Sequence, residues 1–203
     1  MISSNAPTLR EEIAAAAARM IAEDGLDYAG AKRRAVREVL GEADAPRDCL
    51  PDNDQVEAAV REHQALFMSD SQPARLMALR RAARDVLRFL ADAGLGLVPY
   101  VHGAIVNGTA GEHSDVHLLV FDDNAKDLEI HLLNAGIDFE VSEADSARAG
   151  DERLSFLWPP RSRRGEVQEV VHLCVLDPRD QRSARGERAD LRTLEALIDS
   201  AHG

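Results

Sequence analysis

The stretch HGAIVNGTAGEHSDVHLLV, residues 102–120, is where the sequence changes from a helical to an extended pattern. Its apolar beginning predicts a strand, its glycines predict a turn, and the alternation that follows predicts a second strand. Because successive strand residues point to opposite faces, Asp115 and His117 share one face and Val116 and Leu118 share the other. A small-residue turn followed by a strand that displays an acid favours a site for a phosphate-bearing ligand and its metal.

Four helices are predicted on the N-terminal side of this stretch. They cover about residues 9–23, 27–40, 52–68 and 74–93, and the first begins at the capping box formed by Thr8 and Glu11. Two of these helices carry basic clusters: Lys32, Arg33, Arg34 and Arg37 on the second, and a stripe of Arg80, Arg84 and Arg88 on the fourth. Such clusters are usually solvated helix faces. The alternative is that they contact RNA or another acidic partner.

The C-terminal side has the pattern of a small α/β unit. Strands are predicted at 97–106, 115–121, 137–141, 154–158 and 167–176, and helices at 125–134 and 189–200, with polar loops at about 142–152 and 177–188. The predicted fold class is therefore α+β. A helical N-terminal region, residues 1–70, precedes an α/β domain with a small mixed β-sheet, residues 71–203.

Composition and charge limit the classes of function. With 203 residues and 45% hydrophobic content, the chain is long enough to bury a core. It has no apolar run of membrane-spanning length and its N-terminus has no signal-peptide pattern, so we expect no membrane association and a cytoplasmic location. The net charge of −12 opposes non-specific binding to nucleic acid. Cys49 and Cys174 lie too far apart for a cysteine zinc motif, and we expect Cys174 to fill the core.

The central stretch resembles the signature of the nucleotidyltransferase fold, the DNA polymerase β-like superfamily. That signature has Gly-Ser after a strand, nine to thirteen further residues, then Asp-x-Asp on the next strand and a third carboxylate on a later strand. Here Gly103-Ala104 occupies the Gly-Ser position, ten residues follow, and Asp115-Val116-His117 occupies the Asp-x-Asp position. Asp138 or Glu140 offers the third carboxylate, and the resemblance covers roughly residues 74–141.

The resemblance implies a metal-dependent transfer of a nucleoside monophosphate from a nucleoside triphosphate (NTP) to an unknown acceptor. Mg²⁺ or Mn²⁺ would be held by Asp115, His117, Asp138 and Glu140, and the expected catalytic residues are Asp115, His117 and Glu140. The phosphate pocket would be shaped by Gly103, Gly108, Thr109 and Ser114. Since Ala104 and His117 replace the family's serine and second aspartate, the alternative is a non-catalytic module of the same fold. That module would serve ligand sensing or the binding of a protein or RNA partner.

The residues leave other chemistries open. His113, Asp115 and His117, with His102 as a fourth ligand, could bind Zn²⁺ or Mn²⁺ if they shared a strand face. The run NGTAGEHS, residues 107–114, has the glycines of a phosphate-cradling loop but lacks its Gly-Lys-Ser/Thr ending.

Purely structural and nucleophilic roles are also open. Asp115, with Ser114, could simply cap the turn, and Asp138 and Glu140 could belong to an exposed strand face. Ser114 or Ser155 could act as a nucleophile with a histidine and an aspartate, although the sequence has no Gly-x-Ser-x-Gly elbow.

Overall fold

The computed structural model of the chain describes residues 8–41, 46, 49–144, 151–161, 167–182 and 187–201. The chain divides into two compact units. The first comprises Met1–Arg75 together with Thr109–Ser114, and the second comprises Leu76–Gly108 together with Asp115–Gly203. In the described part of the chain no helix is long and apolar enough to cross a membrane.

The first unit is helical, as the sequence predicts. It contains α1 (Leu9–Asp24), α2 (Tyr28–Leu40), α3 (Asn53–Phe67) and the beginning of α4 (Gln72–Ala91). The capping box at Thr8 is confirmed, because its hydroxyl accepts from the Glu11 amide and the Glu11 carboxylate accepts from the Thr8 amide. Helix α1 ends at Gly25, whose φ of 69° is readily adopted only by glycine.

Small residues allow α1 to pack closely against α2 and α3. Their buried cluster is rich in alanine and consists of Ile13, Ala17, Ala18, Met20, Ala31, Ala35, Val56 and Val60. Alanine leaves little side-chain volume between helices and loses no rotamer freedom on burial. The alanine run of α1 therefore forms a packing face.

The second unit contains the mixed six-stranded sheet. Its strands are β1 (Tyr100–His102), β2 (Val116–Phe121), β3 (Phe139–Glu143), β4 (Glu152–Trp158), β5 (Glu169–Leu176) and β6 (Arg188–Ala189). Their order is β3-β4-β5-β2-β1-β6, with β2 parallel to β5 and every other neighbouring pair antiparallel. Helices α5 (Ala104–Asn107), α6 (Ala125–Asn134) and α7 (Leu191–Ser200) complete the unit, and the predicted α+β class is confirmed.

One face of the sheet is buried and the other is open. The buried face is apolar throughout: Val101, Val116, Leu118, Val120, Leu154, Phe156, Val171, Leu173, Val175 and Ala189. Buried residues of α4, α6 and α7 complete this core: Leu79, Ala83, Val86, Leu87, Leu90, Leu128, Leu132, Leu194 and Ile198. Residues at alternate strand positions are only partly buried or exposed. They form what we call the open face.

The predicted strand over residues 97–106 is wrong in its second half. Strand β1 ends at His102, and after Gly103 the chain turns into the short helix α5. Gly103 has a φ of 73°, which lies outside the extended region and therefore ends the strand. Residues with a side chain rarely adopt this φ, so glycine suits the position. An apolar run such as this one has no periodicity that separates a strand from a helical turn.

On the C-terminal side, Cys174 and one predicted loop differ from the prediction, and a second predicted loop is described only in part. Cys174 is not a core residue, because it alternates with Leu173 and Val175 and lies half-buried on the open face. The loop predicted as 177–188 contains a 3₁₀ helix, Pro178–Arg182, and the short strand β6. Of the loop predicted at 142–152, residues 145–150 lie outside the described residues.

The arginine stripe of α4 is not a surface stripe. Arg80 is only 8% exposed, and it donates from Nε to the Ile105 carbonyl at 3.2 Å and from Nη1 to the Leu197 carbonyl at 3.3 Å. Arg84 pairs with Asp85 and Arg88 pairs with Glu195. Burial lowers the pKa of Arg80. Arg80 and Arg88 therefore link α4 to other segments of the second unit, whereas Arg84 pairs within α4, and the stripe does not form a continuous basic contact surface.

Candidate functional site

A row of polar side chains crosses all six strands on the open face. The register places Glu140 opposite Ser155, Ser155 opposite His172, and His172 opposite His117. On the other side His102 lies opposite Arg188, and the His102 and His117 rings are 5.8 Å apart at their centroids. Paired residues of neighbouring strands point to the same face. The sheet therefore collects in one row Glu140, Ser155, His172, His117, His102 and Arg188.

His117 lies at the centre of this row. Its ring stacks on that of His172 with centroids 5.1 Å apart and an interplanar angle of 26°. Part of the His117 side chain is exposed, but desolvation by the surrounding side chains lowers its pKa to about 4, and the charges of His102 and His172 add to this effect. Burial also lowers the pKa of His102. At neutral pH His117 is therefore a neutral imidazole with a donor nitrogen and an acceptor nitrogen.

A hydrogen-bonded chain of three side chains runs along one side of the row. The Ser155 hydroxyl lies 2.9 Å from Nδ1 of His172, and Nε2 of His172 lies 3.3 Å from Oδ2 of Asp115. A carboxylate only accepts hydrogen bonds, so Nε2 carries the ring hydrogen and donates a hydrogen bond to Asp115. Nδ1 is then the acceptor for the Ser155 hydroxyl. We call Ser155, His172 and Asp115 the Ser-His-Asp array.

Arg188 places a positive charge at the β6 end of the row. Its guanidinium carbon lies 5.0 Å from the Tyr100 ring centroid and 5.3 Å from that of Phe121, and its Nη2 donates to the Gln181 carbonyl. Among the described residues, its buried Nη1 has no hydrogen-bond partner. Attraction between the cation and the two ring faces holds the guanidinium in place.

Asp115 and His117, both predicted from sequence, do lie at one place. Asp115 immediately precedes β2, and His117 is the second residue of that strand. Both lie close to His172 of β5, the strand parallel to β2. Asp115 does not cap its turn in the way that the structural alternative proposes, because its carboxylate is hydrogen-bonded to His172. Ser114 does tie down the turn, since its hydroxyl accepts from the Gly111 amide at 2.9 Å.

Asp138 and Glu140 do not join Asp115. Glu140 is exposed on the edge strand β3, and β4 and β5 separate that strand from β2. Three strand spacings amount to about 14 Å, several times the reach of two carboxylates that share an ion. Asp138 precedes β3 and is also exposed. The structure therefore does not place either acid beside Asp115, because strand order along the chain differs from strand order in the sheet, and a metal role for Asp138 or Glu140 stays a prediction.

The row does not fit the Mg²⁺ or Mn²⁺ site that the resemblance implies. Among the described residues, no three His, Cys, Asp or Glu side chains are placed to hold a metal ion. The Asp115 carboxylate is already hydrogen-bonded to the His172 imidazole, and the His172 ring stacks on that of His117. Mg²⁺ also requires oxygen ligands in octahedral geometry, which imidazoles do not supply.

The glycines of the predicted phosphate pocket have a backbone role. Gly103 and Gly108 flank α5 with φ values of 73° and 87°, and a β-carbon at either would meet no atom within 4 Å. Ala104 begins α5, so the family's serine hydroxyl is absent there. These glycines are explained by the two reversals of the chain around α5.

Thr109 and Ser114 belong to the first unit and have contacts inside it. Thr109 is buried, and its carbonyl accepts from Nε2 of Gln64 at 2.7 Å. The Tyr28 hydroxyl forms a hydrogen bond with the Thr109 side chain. Burial raises the pKa of Tyr28, and the charge of Glu57 adds to this effect. Both predicted pocket residues thus stabilise the 109–114 segment.

His113 is not on the strand, so the zinc alternative loses a ligand. Strand β2 begins at Val116, and His113 lies in the preceding turn. A β-carbon added to Gly25 would lie 2.7 Å from Cβ of His113, so His113 packs directly on the end of α1. His113 therefore has a structural role inside the first unit.

His172 is not among the site residues predicted from the sequence. Its alternation with Val171 and Leu173 indicates an open-face position, but nothing in the sequence shows that β5 lies next to β2. The sequence offers Ser155 as a nucleophile but assigns it no particular histidine. The signal that identifies both residues is register, which requires the pairing of strands far apart in the chain.

A second polar region lies at the opposite end of β2 and β5. A cavity of about 350 Å³ there is lined by Asp122, Asp123, Asn124, Ala125, Lys126, Glu129, Asp151, Glu152, Val175 and Asp177. All of these residues belong to the described part of the chain, where no three His, Cys, Asp or Glu side chains are placed to hold a metal ion. Its carboxylates are numerous, but they are not arranged as a chelating set.

The fold and site define an α+β protein with a mixed sheet and a histidine-rich open face. Solved structures similar to it are nucleotidyltransferase-fold enzymes. One structure of Cid1, described as an RNA terminal uridylyl transferase, matches with 19% identity and a TM-score of 0.40, covering 53% of this chain and 31% of Cid1. Cid1 with the UTP analogue UMPNPP matches with 17% identity and a TM-score of 0.40, covering 63% of this chain and 35% of Cid1.

A structure described as a cytoplasmic RNA terminal U-transferase matches with 18% identity and a TM-score of 0.38, over 62% of this chain and 34% of that one. The chain thus spans about a third of the length of these solved chains. No protein-family model and no curated protein sequence matches the chain.

Proposed function

We propose that this chain is a nucleotide-binding module of nucleotidyltransferase-like fold, which binds an NTP or a related mononucleotide on the open face without a metal clamp. The observation that carries the proposal is the row from His172 through His117 and His102 to Arg188. This row offers three imidazoles and a fixed guanidinium on one surface. Bases stack on such rings, and phosphates are attracted to such a cation.

The protonation of His117 supports recognition of a base. As a neutral imidazole it both donates and accepts hydrogen bonds at pH 7, which matches the mixed donors and acceptors on the edge of a base. Asp115, at the beginning of β2, adds an acceptor for an amino or hydroxyl group. These groups discriminate between ligands without any transfer chemistry.

The overall charge favours a mononucleotide over RNA. A polynucleotide is held mainly by cations that neutralise its phosphates, whereas this chain has a net charge of −12. The stripe on α4 does not supply a basic surface, because Arg80 is buried and Arg84 and Arg88 are paired. A protein or RNA partner is therefore the less favoured reading. The cytoplasmic location predicted from the sequence remains part of the proposal.

Metal-dependent transfer of a nucleoside monophosphate is the second candidate, since Asp115 occupies the position of the family's first aspartate. The two candidates differ in what EDTA does. Calorimetric titration with each NTP, first in EDTA and then in Mg²⁺ or Mn²⁺, should give similar affinities in all three conditions if the module binds without metal.

Two variants make this titration decisive. His117→Ala should weaken nucleotide binding about tenfold, because loss of one stacking platform removes about 1–3 kcal/mol. His113→Ala is the matched control, since that histidine lies in the first unit. Failure of every NTP to bind would reject the proposal. Binding only with metal, lost in Asp115→Ala and accompanied by release of pyrophosphate, would establish the transferase instead.

A further inference from the structure

The Ser-His-Asp array lies beside a groove that the nucleotide proposal does not use. This groove, of about 340 Å³, is lined by Asp138, Phe139, Glu140, Ser155, Phe156, Leu157 and Val170. In the register Ser155 pairs with Glu140, and Leu157 pairs with Val170, so the groove opens on the open face. Ser155 thus lines the groove, and its hydroxyl contacts the imidazole of His172.

We propose that Ser155 is a nucleophile, with His172 as its general base, and that the groove receives the acyl part of a carboxylic ester. The reaction class is acyl transfer to serine followed by hydrolysis. This inference goes beyond the nucleotide-binding proposal and does not depend on it. Three observations carry it: the 2.9 Å contact between Ser155 and Nδ1, the contact between Nε2 and Asp115, and the groove next to the hydroxyl.

The tautomer of His172 is the one that the chemistry requires. Because Nε2 donates to the Asp115 carboxylate, the lone pair of Nδ1 faces the Ser155 hydroxyl and can take its proton. In the well-known serine hydrolases the two ring nitrogens have the opposite assignment, but the roles of base and orienting acid are the same. Asp115 acts through His172 and is a positioning residue.

The groove selects the ester by polarity. Leu157 and Val170 are 48% and 36% exposed, and they offer apolar surface to a short acyl chain. Asp138 and Glu140 place two carboxylates among the lining residues. These charges repel an anionic substrate, so a neutral or cationic ester is the class that fits.

The proposed reaction needs only the ester and water as reactants. Oγ of Ser155 bonds to the carbonyl carbon while its proton passes to Nδ1 of His172. The bond from that carbon to the alcohol oxygen then breaks, and the alcohol leaves with the proton from Nδ1. Water next attacks the acyl-serine, gives a proton to Nδ1, and releases the carboxylic acid as Ser155 recovers its proton.

A fluorophosphonate probe tests the nucleophile directly on the full chain. Attack by Oγ forms an oxygen–phosphorus bond and expels fluoride, leaving an adduct that mass spectrometry assigns to a residue. We expect the adduct on Ser155, and we expect Ser155→Ala to abolish it. His172→Gln should slow labelling about 100-fold or more, which is the usual contribution of a general base.

Ser142→Ala is the matched control. Ser142 is an exposed serine on the same face, and it lies opposite Arg153 in the register, where Ser155 lies opposite a histidine. Labelling of Ser142→Ala at the wild-type rate supports the proposal. An adduct on another residue, an unchanged rate in folded Ser155→Ala, or no adduct on the wild type would overturn it.

Hydrolysis of p-nitrophenyl butyrate tests the groove. Leu157→Asn should lower the rate of butyrate hydrolysis relative to that of p-nitrophenyl acetate.

The role of Asp115 requires a readout other than rate. Imidazole ¹⁵N NMR should show the Nε2–H tautomer of His172 in the wild type and a mixture of tautomers in Asp115→Ala. An unchanged tautomer in that variant would remove Asp115 from the proposal.

Discussion

His117 and Leu118 are neighbours in the chain and lie on opposite faces of β2. Leu118 is fully buried in an aliphatic core, whereas His117 lies among imidazoles on the open face. The same contrast holds for His172 and Leu173 on β5. Burial decides stability on one face, and on the other face cross-strand register decides which polar groups meet. The two faces should therefore respond differently to mutation.

The largest effect is expected on the buried face. Leu118→Ala should lower the free energy of unfolding by about 2–5 kcal/mol, through lost burial and a residual cavity. Leu119→Ala is the matched control, since Leu119 is only half-buried on the open face and should cost clearly less. Urea unfolding followed by circular dichroism measures both. Equal losses in the two variants would contradict the difference between the faces.

The next effect concerns Arg80, a charged residue on the core side. Arg80→Ala should cost about 1.5–3 kcal/mol, because the buried Ile105 carbonyl and the partly buried Leu197 carbonyl lose a charged donor. Arg84→Ala should cost about 0–1 kcal/mol, since its pair with Asp85 is a surface pair. The same unfolding assay applies. If Arg80→Ala proved as mild as Arg84→Ala, the guanidinium would not stabilise the core.

The open face should show itself in the pH dependence of stability. The pKa of His117 is lowered to about 4 in the folded chain, whereas the pKa of a histidine in the unfolded chain is about 6.5. The unfolded state therefore binds more protons within this window, so stability is complete above about pH 6.5 and falls as the pH drops towards 4. His102 acts in the same direction.

His117→Asn tests this dependence, since it removes the titrating group and keeps a polar side chain. The groups that act on His117 are His102, His172, Asp115 and Arg153, and all of them stay in place in the variant. Unfolding measured between pH 4.5 and 7.5 should then change less with pH than in the wild type. An unchanged slope would assign the dependence to other groups.

The smallest effect is expected at the edge of the open face. Glu140→Gln should change the free energy of unfolding by no more than about 0.5 kcal/mol, because Glu140 is exposed. Its separation from Asp115 also predicts that Mn²⁺ raises the unfolding temperature of neither the wild type nor this variant. Stabilisation by Mn²⁺ that disappears in both Glu140→Gln and Asp115→Asn would restore the shared metal site.

The candidate site could be predicted only in part. Asp115 and His117 follow from a local alternation of period two, which β2 retains. His172 and Ser155 lie 57 and 40 positions further along the chain than Asp115, and only strand pairing brings them to it. Asp138 and Glu140 are candidates from the sequence because they are acids on the next predicted strand. In the sheet that strand is at the edge, so proximity in the sequence does not place these acids beside Asp115.

The sequence by itself determined the local structure of this protein. The caps at Thr8, Asp27 and Asp52, the glycine that ends α1 and the alternation of β2 and β5 follow from hydrogen bonds and side-chain periods that span a few residues. Only the tertiary structure decided that β5 runs parallel to β2 and that His172 meets Asp115. Strand order and register depend on burying the apolar faces of distant segments together, and no short window of sequence contains that information.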